Sequence, residues 1–168
     1  MAALRPYVGV VVNANSRANR KRTPRLTDLE AAIGEYGVVR LTHTTEELRA
    51  VLRQWVAYPI THVFAEGGDG TLHGIIRECA VILKERYASE WQAYMPILVP
   101  GHAGTINFVA SYLGLHKKSV NVLAELKSGF VSDQAMPCQS LPLMDITLSA
   151  ASGQQSQHYG FVVGVGGI

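Results

Sequence analysis

Four short apolar runs, each followed by a stretch of helical character, constrain this chain more than any other feature. They are "YVGVVV" (7–12), "VVRLT" (38–42), "THVFA" (61–65) and "MPILVP" (95–100). The first is β-branched and apolar on both faces, which suits a central strand of a parallel sheet covered on either side. Helix signals stand between the runs. Thr23 and Pro24 read as N-cap and first helical position, with Leu26, Leu29 and Ile33 on one face and Gly37 as the stop. Thr44-Thr45-Glu46-Glu47 reads as a capping box ahead of a stripe of Leu48, Val51, Leu52, Trp55 and Val56. Leu72, Ile75, Ile76, Cys79 and Leu83 line a further helix. "GHAGTINFVASYLGL" (101–115) is a glycine-bearing turn into another, and "SVNVLAELKSG" (119–129) is one more, with a glycine stop. Strands alternating with helices predict an α/β fold: a doubly wound, mostly parallel sheet.

Beyond residue 135 the grammar changes. "LPLMDITLSA", the turn "ASGQQ" and "SQHYGFVVGVGGI" read as a β-hairpin with no crossover helix. The expected division is an α/β domain over 1–135 and, over 136–168, the opening of a β-rich domain that the chain does not complete. An apolar strand such as "FVVGVGGI", left without its sheet, invites a homodimer or aggregation.

Composition narrows the function classes. The chain has 168 residues, 48% hydrophobic and 17% charged, a globular mixture with room for a core that needs no disulfide or metal staple. A net charge of +2 argues against a general nucleic-acid binder. Cys79 and Cys138 have neither metal-ligand nor disulfide-framework spacing, which fits a reducing cytoplasm. No histidine pair has metal spacing. The start of the chain carries no signal-peptide pattern, and no apolar run approaches the ~20 residues of a membrane helix, so membrane contact is expected to be peripheral.

Chemistry points to the loops after the strands, because ligands of open α/β sheets bind outside the strands' carboxyl ends. Three loops fall there: Asn13–Arg22, Gly67–Thr71 and Gly101–Asn107. Glycine permits close backbone approach, and a following helix offers free N–H groups and a positive dipole end, together an anion cradle. The loops match neither a Walker A loop nor a dinucleotide fingerprint. Asp69 lies inside the cradle of "FAEGGDGTLHGII" (64–76). A carboxylate there repels phosphate unless Mg²⁺ is present or it takes a proton from an attacking hydroxyl, so the pattern points to Mg-dependent phosphoryl transfer. The competing reading makes Asp69 a helix N-cap in a turn that the glycines merely shape. A valine at Gly68 is expected to fill the cradle. His102 stands in the third loop, within reach of a phosphate. Arg17, Arg20, Lys21 and Arg22 read as a solvated loop, a triphosphate contact or a contact to an anionic membrane.

These residues resemble the diacylglycerol kinase catalytic-domain family, which includes bacterial lipid kinases and sphingosine kinases. Gly67-Gly68-Asp69-Gly70-Thr71 matches the family's GGDGT motif residue for residue. "PGHAGTINFVASYLGL" is similar to its P-x-G-T-x-N segment through Pro100, Gly104, Thr105, Asn107 and Ala110. "VVNANS" resembles its N-P-x-S-G loop through Asn13 and Ser16, Thr42 falls at its nucleotide pocket, and Asp145 matches an aspartate that opens its second domain. The resemblance implies an ATP- and Mg²⁺-dependent kinase acting on a lipid hydroxyl such as that of diacylglycerol. It implies that Asn13, Ser16, Arg17, Thr42, Gly67, Gly68, Gly70, Thr71, Gly104, Thr105 and Asn107 hold the nucleotide, with Asp69 as the catalytic residue and the metal ligands unassigned. NAD kinases share G-G-D-G-T, so NAD or a soluble polyol is the alternative acceptor. A non-catalytic nucleotide-binding half that needs a partner is the other alternative. The chain departs from the pattern at Ala14 and Arg17 in the first loop, at the extra His102 and Ala103, at Phe108 after the motif's asparagine and at Val163. The family's second domain, a β-sandwich closing over the acceptor, would lie beyond Ile168.

Overall fold

A computed structural model describes residues 7–21, 26–58, 60–150 and 152–161. The expected Thr23-Pro24 cap, Arg22, Val163 and most of the terminal apolar strand lie outside the described residues. The chain divides into two compact units, Met1–Met136 and Pro137–Ile168.

In the first unit β1 (Val8–Asn13), β2 (Gly37–Thr42), β3 (His62–Glu66) and β4 (Ile97–Pro100) form one sheet in the order β2-β1-β3-β4, parallel throughout. The alternation of strand and helix predicts this sheet. Register brings the functional edge together. Asn13 stands opposite Thr42, and Val12 stands opposite Glu66, so the carboxyl ends of three strands lie side by side. The helices are α1 (Arg17–Lys21), α2 (Leu26–Ile33), α3 (Thr45–Val56), α4 (Asp69–Tyr87), α5 (Phe108–Tyr112) and α6 (Ser119–Val131).

β1 shows why the sheet is covered on both sides. Successive strand side chains point to opposite faces. Val8, Val10 and Val12 join Leu29 and Ile33 of α2 and Val122, Leu123 and Leu126 of α6 in one buried cluster. Gly9 belongs to the other face, where a Cβ would stand 2.4 Å from Cζ3 of Trp55 on α3. Each fully buried valine or leucine here contributes about 1.5–3 kcal/mol.

Local differences from the sequence reading have physical causes. The segment 17–21, read as loop, closes a short helix. Gly34, not Gly37, ends α2: Gly34 takes φ +58, and a 3₁₀ turn over Gly34–Tyr36 leads into Gly37, which is already extended at φ −167. Gly129 does not stop α6. It makes room for Met136, whose Sδ would lie 2.5 Å from an added Cβ. Thr44 caps α3 by accepting from the Glu47 amide at 3.2 Å, and the Glu47 carboxylate also accepts from the His43 amide at 2.7 Å. Trp91 lies under Lys84 Nζ at 5.2 Å, and Tyr94 stacks on Tyr87 at 3.7 Å. This connection packs on the far end of α4, 19 residues and about 28 Å from the loop edge.

The second unit pairs β5 (Leu143–Ser149) and β6 (Gln155–Phe161) antiparallel, with Gly153 at φ +80 in the turn. Met144, Ile146 and Leu148 share one exposed face of it. Among the described residues no helix is long and apolar enough to cross a membrane.

Candidate active site

The site begins where Asn13 ends β1. Its Nδ2 donates to Thr71 Oγ1 at 2.8 Å, and its Oδ1 accepts from the Asn15 amide at 2.9 Å. Ala14 donates its amide to the Thr42 carbonyl at 3.0 Å. Asn19 Nδ2 donates to the Asn13 carbonyl at 2.9 Å and to the Glu66 carbonyl at 3.3 Å. The first loop is thereby stitched across the ends of β2 and β3. A cleft of about 220 Å³ opens beside these residues. Asn13, Thr42, Gly70 and Thr71 line it, joined by Val11, Asn15, His43, Thr44, Thr45, Leu48 and Gly74. The apolar members belong to β1 and α3 and the polar ones are neutral or a histidine, a lining suited to an uncharged heterocycle. A hollow of about 350 Å³ at the hairpin turn is lined by Leu148, Ser149, Ala150, Gln154 and Ser156 and offers no ionisable side chain.

The two glycine loops meet next to this cleft. Gly101 donates its amide to the Ala65 carbonyl at 2.9 Å. Ala103 donates to the Gly67 carbonyl at 3.0 Å and accepts from the Ala18 amide at 3.1 Å. The departure at His102–Ala103 is therefore the seam that joins all three loops. Asn107 closes its own loop from a left-handed conformation, φ +52, with Oδ1 accepting from the Gly104 amide at 2.8 Å. Gly67 is covered by Thr71, and Gly68 packs on Gly104; only Gly70 of the motif's glycines has open space before it.

Asp69 does not cap its own helix. Gly68 is the N-cap of α4 and no side chain caps that end, which leaves an uncapped positive helix end at the loop junction. The Asp69 carboxylate crosses to α5. Oδ2 accepts from the Phe108 amide at 2.9 Å and Oδ1 from the Val109 amide at 3.1 Å. Each oxygen keeps a second lone pair.

The remaining expected residues are more dispersed. Ser16 is buried, and its Oγ has no hydrogen-bond partner among the described residues; the same holds for Nε2 of His102. Arg17 is exposed at the start of α1, and Thr105 is exposed on the third loop. Neither lines the cleft. Asp145 lies in the second unit, where its two oxygens accept from Gln157 Nε2 at 2.8 and 2.9 Å. Cys79 is buried in α4 and its thiol is pushed up to about 12 by desolvation, which makes it inert packing.

Sequence reasoning missed Glu66. It ends β3 directly before the glycines, accepts from Ser119 Oγ at the start of α6, and burial raises its carboxyl above the ordinary value. A lone carboxylate closing a buried strand at a glycine loop was the available signal. Thr44, Thr45 and Leu48 were read for helix capping and core alone, although their place after β2 put them at the same edge.

No group of three histidine, cysteine or acidic side chains among the described residues can hold a metal. A Mg²⁺ here would have to be held chiefly by substrate phosphates, with Asp69 the carboxylate at the loop junction.

Over residues 7–136 the chain matches the family described as the diacylglycerol kinase catalytic domain. No match to an individual curated protein accompanies it. With its parallel sheet, its motif loops and a match covering most of its length, the chain belongs to the diacylglycerol kinase catalytic-domain family.

Proposed function

We propose that this domain transfers the γ-phosphoryl group of ATP to a lipid hydroxyl such as that of diacylglycerol. One observation carries the reading: the Asp69 carboxylate stands where both glycine loops and the uncapped start of α4 converge, beside the heterocycle-sized cleft. The base would rest between Val11 and Leu48, with Asn13, Thr42 and Thr71 toward the sugar and phosphates. The Asp69 and Gly70 amides at the start of α4 would meet phosphate oxygens, the Thr71 amide being bonded to the Gly68 carbonyl at 2.9 Å. In the transfer, the acceptor oxygen bonds to the γ-phosphorus, the bond to the bridging oxygen breaks, and ADP leaves. Asp69 takes the hydroxyl proton on a lone pair that α5 does not use. Bound Mg²⁺ would neutralise phosphate charge through the substrate phosphates, because an Asp69 carboxylate already on the metal would be a poor base for the hydroxyl.

The test is transfer of label from radiolabelled ATP, with diacylglycerol in detergent micelles, NAD and a soluble polyol as separate acceptors. Label on diacylglycerol alone is expected. Label on NAD or the polyol instead would replace the acceptor class, and no transfer together with no thermal shift in Mg-ADP would remove the kinase reading for this chain.

A further inference from the structure

Residues 101–119 form one excursion from the sheet. The chain leaves β4 at Gly101, runs through the third loop and α5, and begins α6 at Ser119. The middle of the excursion holds the candidate catalytic group, because the Phe108 and Val109 amides donate to the two oxygens of Asp69. Its two ends return to a single atom. Glu66 Oε2 accepts from Ser119 Oγ, and a Cβ on Gly101 would stand 2.9 Å from that same oxygen.

Glu66 is a fixed post for this contact. It ends β3 opposite Val12 of β1, and its carbonyl accepts from Asn19 Nδ2 at 3.3 Å. Ser119 brings a hydroxyl that its own helix does not use: Lys118 is the N-cap of α6, and no side chain caps that end. Burial of the Glu66 carboxyl disfavours its charged form, so an apolar residue closing the strand would cost less. What the carboxyl supplies is the join between the ends of 101–119. The cleft draws its lining from within 11–15, 42–48 and 70–74, and no described residue of 101–119 contributes to it. The excursion therefore bears on the aim of Asp69 and not on the walls that would hold a nucleotide.

We propose that Glu66 is a positioning residue for the transfer: its carboxyl gathers Gly101 and Ser119 and thereby sets the α5 amides that aim Asp69 at the acceptor hydroxyl. The proposal rests on the phosphoryl-transfer reading and adds the group that holds its base in place. Small displacements of a reacting group are costly, on the order of a hundredfold in rate for 1 Å.

The experiment combines steady-state transfer from radiolabelled ATP to diacylglycerol in detergent micelles with amide hydrogen exchange at Phe108 and Val109. Both are run on the full 168-residue chain, below the melting temperature of each variant. Glu66→Ala should lower kcat roughly tenfold to a hundredfold and leave KM for ATP within about twofold of the parent. Its Phe108 and Val109 amides should exchange about tenfold faster, with the β1 amides unchanged. Glu66→Gln, whose side-chain oxygen still accepts from Ser119, should restore most of the lost kcat and the slow exchange. Ser119→Ala should move both readouts in the same direction as Glu66→Ala, and it carries the test if Glu66→Ala does not fold. The proposal is overturned if the folded variants keep parental kcat and parental exchange at Phe108 and Val109, if KM for ATP rises while kcat holds, or if Glu66→Gln is as impaired as Glu66→Ala. Absence of transfer by the parent to any acceptor removes the kinase reading. Exchange then decides the role of Glu66 by itself: faster exchange at Phe108 and Val109 in Glu66→Ala upholds the hold on Asp69, and parental rates overturn it.

Discussion

Gly68 and Gly104 pack backbone against backbone: a Cβ on Gly104 would lie 2.3 Å from the Gly68 Cα, and a Cβ on Gly68 2.7 Å from the Gly104 Cα. The two glycines hold the second and third loops together instead of framing an open bowl. A side chain at Gly68 therefore splits the loops before it blocks a ligand, which corrects the expectation drawn from the sequence. Gly104→Ala should cost about 1–3 kcal/mol, a fall of several degrees in melting temperature. Gly70 is the contrast, lining the cleft with nothing within 4 Å of an added Cβ. Gly70→Val should melt close to the parent temperature yet lose the stabilisation that Mg-ADP gives. Equal melting temperatures for the Gly104→Ala and parent chains would refute the packing role.

Asp69→Asn is the next prediction, and it is not neutral for the fold. A carboxylate accepts from both the Phe108 and Val109 amides, whereas an asparagine side chain has one acceptor oxygen and turns a donor toward the other amide. The variant should lose about 1–2 kcal/mol as the start of α5 loosens. It should also lose phosphoryl transfer to any acceptor. Full activity in a destabilised Asp69→Asn chain would leave Asp69 a structural cap and nothing more.

The parallel sheet and the separate hairpin were legible because β-branched runs and 3.6-residue stripes report directly on burial, as Val8–Val12 and Leu48–Trp55 do; the spatial order β2-β1-β3-β4 was not, because no local pattern encodes which strands are neighbours. The motif loops were legible as glycine-rich turns at the strand ends. What glycine does in each was not, because Gly68, Gly104 and Gly129 answer to partners distant in sequence that no local pattern encodes. The crossing of Asp69 to α5 was hidden for the same reason: an aspartate at the start of a helix reads as that helix's own cap. Glu66 was overlooked because its partner, Ser119, is supplied from another helix.

Glu66 gives a pH prediction. Burial raises its carboxyl above the ordinary glutamate value of 4.5, with the Ser119 hydroxyl opposing the shift only in part. The folded state thus holds the proton more tightly than the unfolded state. The contribution to stability is complete below pH 4.5 and fades as pH rises through the folded-state value. Glu66→Gln keeps an acceptor for Ser119 and carries no charge at any pH. It should raise the melting temperature at pH 7 relative to the parent and flatten the decline between acid and neutral pH. A parent curve that parallels the variant from pH 4 to 8 would show that Glu66 ionises without cost.

The last prediction concerns the walls of the cleft, α3 and α4, which contribute Thr45, Leu48 and Gly74. Glu78 of α4 is 1% exposed, with Arg49 of α3 at 2.6 Å and Arg77 at 2.9 Å. Arg49 and Arg77 are 44% and 40% exposed, so solvent reaches both cations but not the carboxylate. The two ends of the pair therefore respond unequally to substitution. Glu78→Gln removes the buried charge and leaves hydrated arginines behind, which costs little. Arg49→Met leaves the buried carboxylate with Arg77 alone and removes the tie between the walls, which costs more. The urea midpoint should fall further for Arg49→Met than for Glu78→Gln, and Mg-ADP should stabilise the Arg49→Met chain less than the parent because the cleft has lost a brace. The reverse order of midpoints would mean that attraction across the surface, and not burial of the carboxylate, governs this contact.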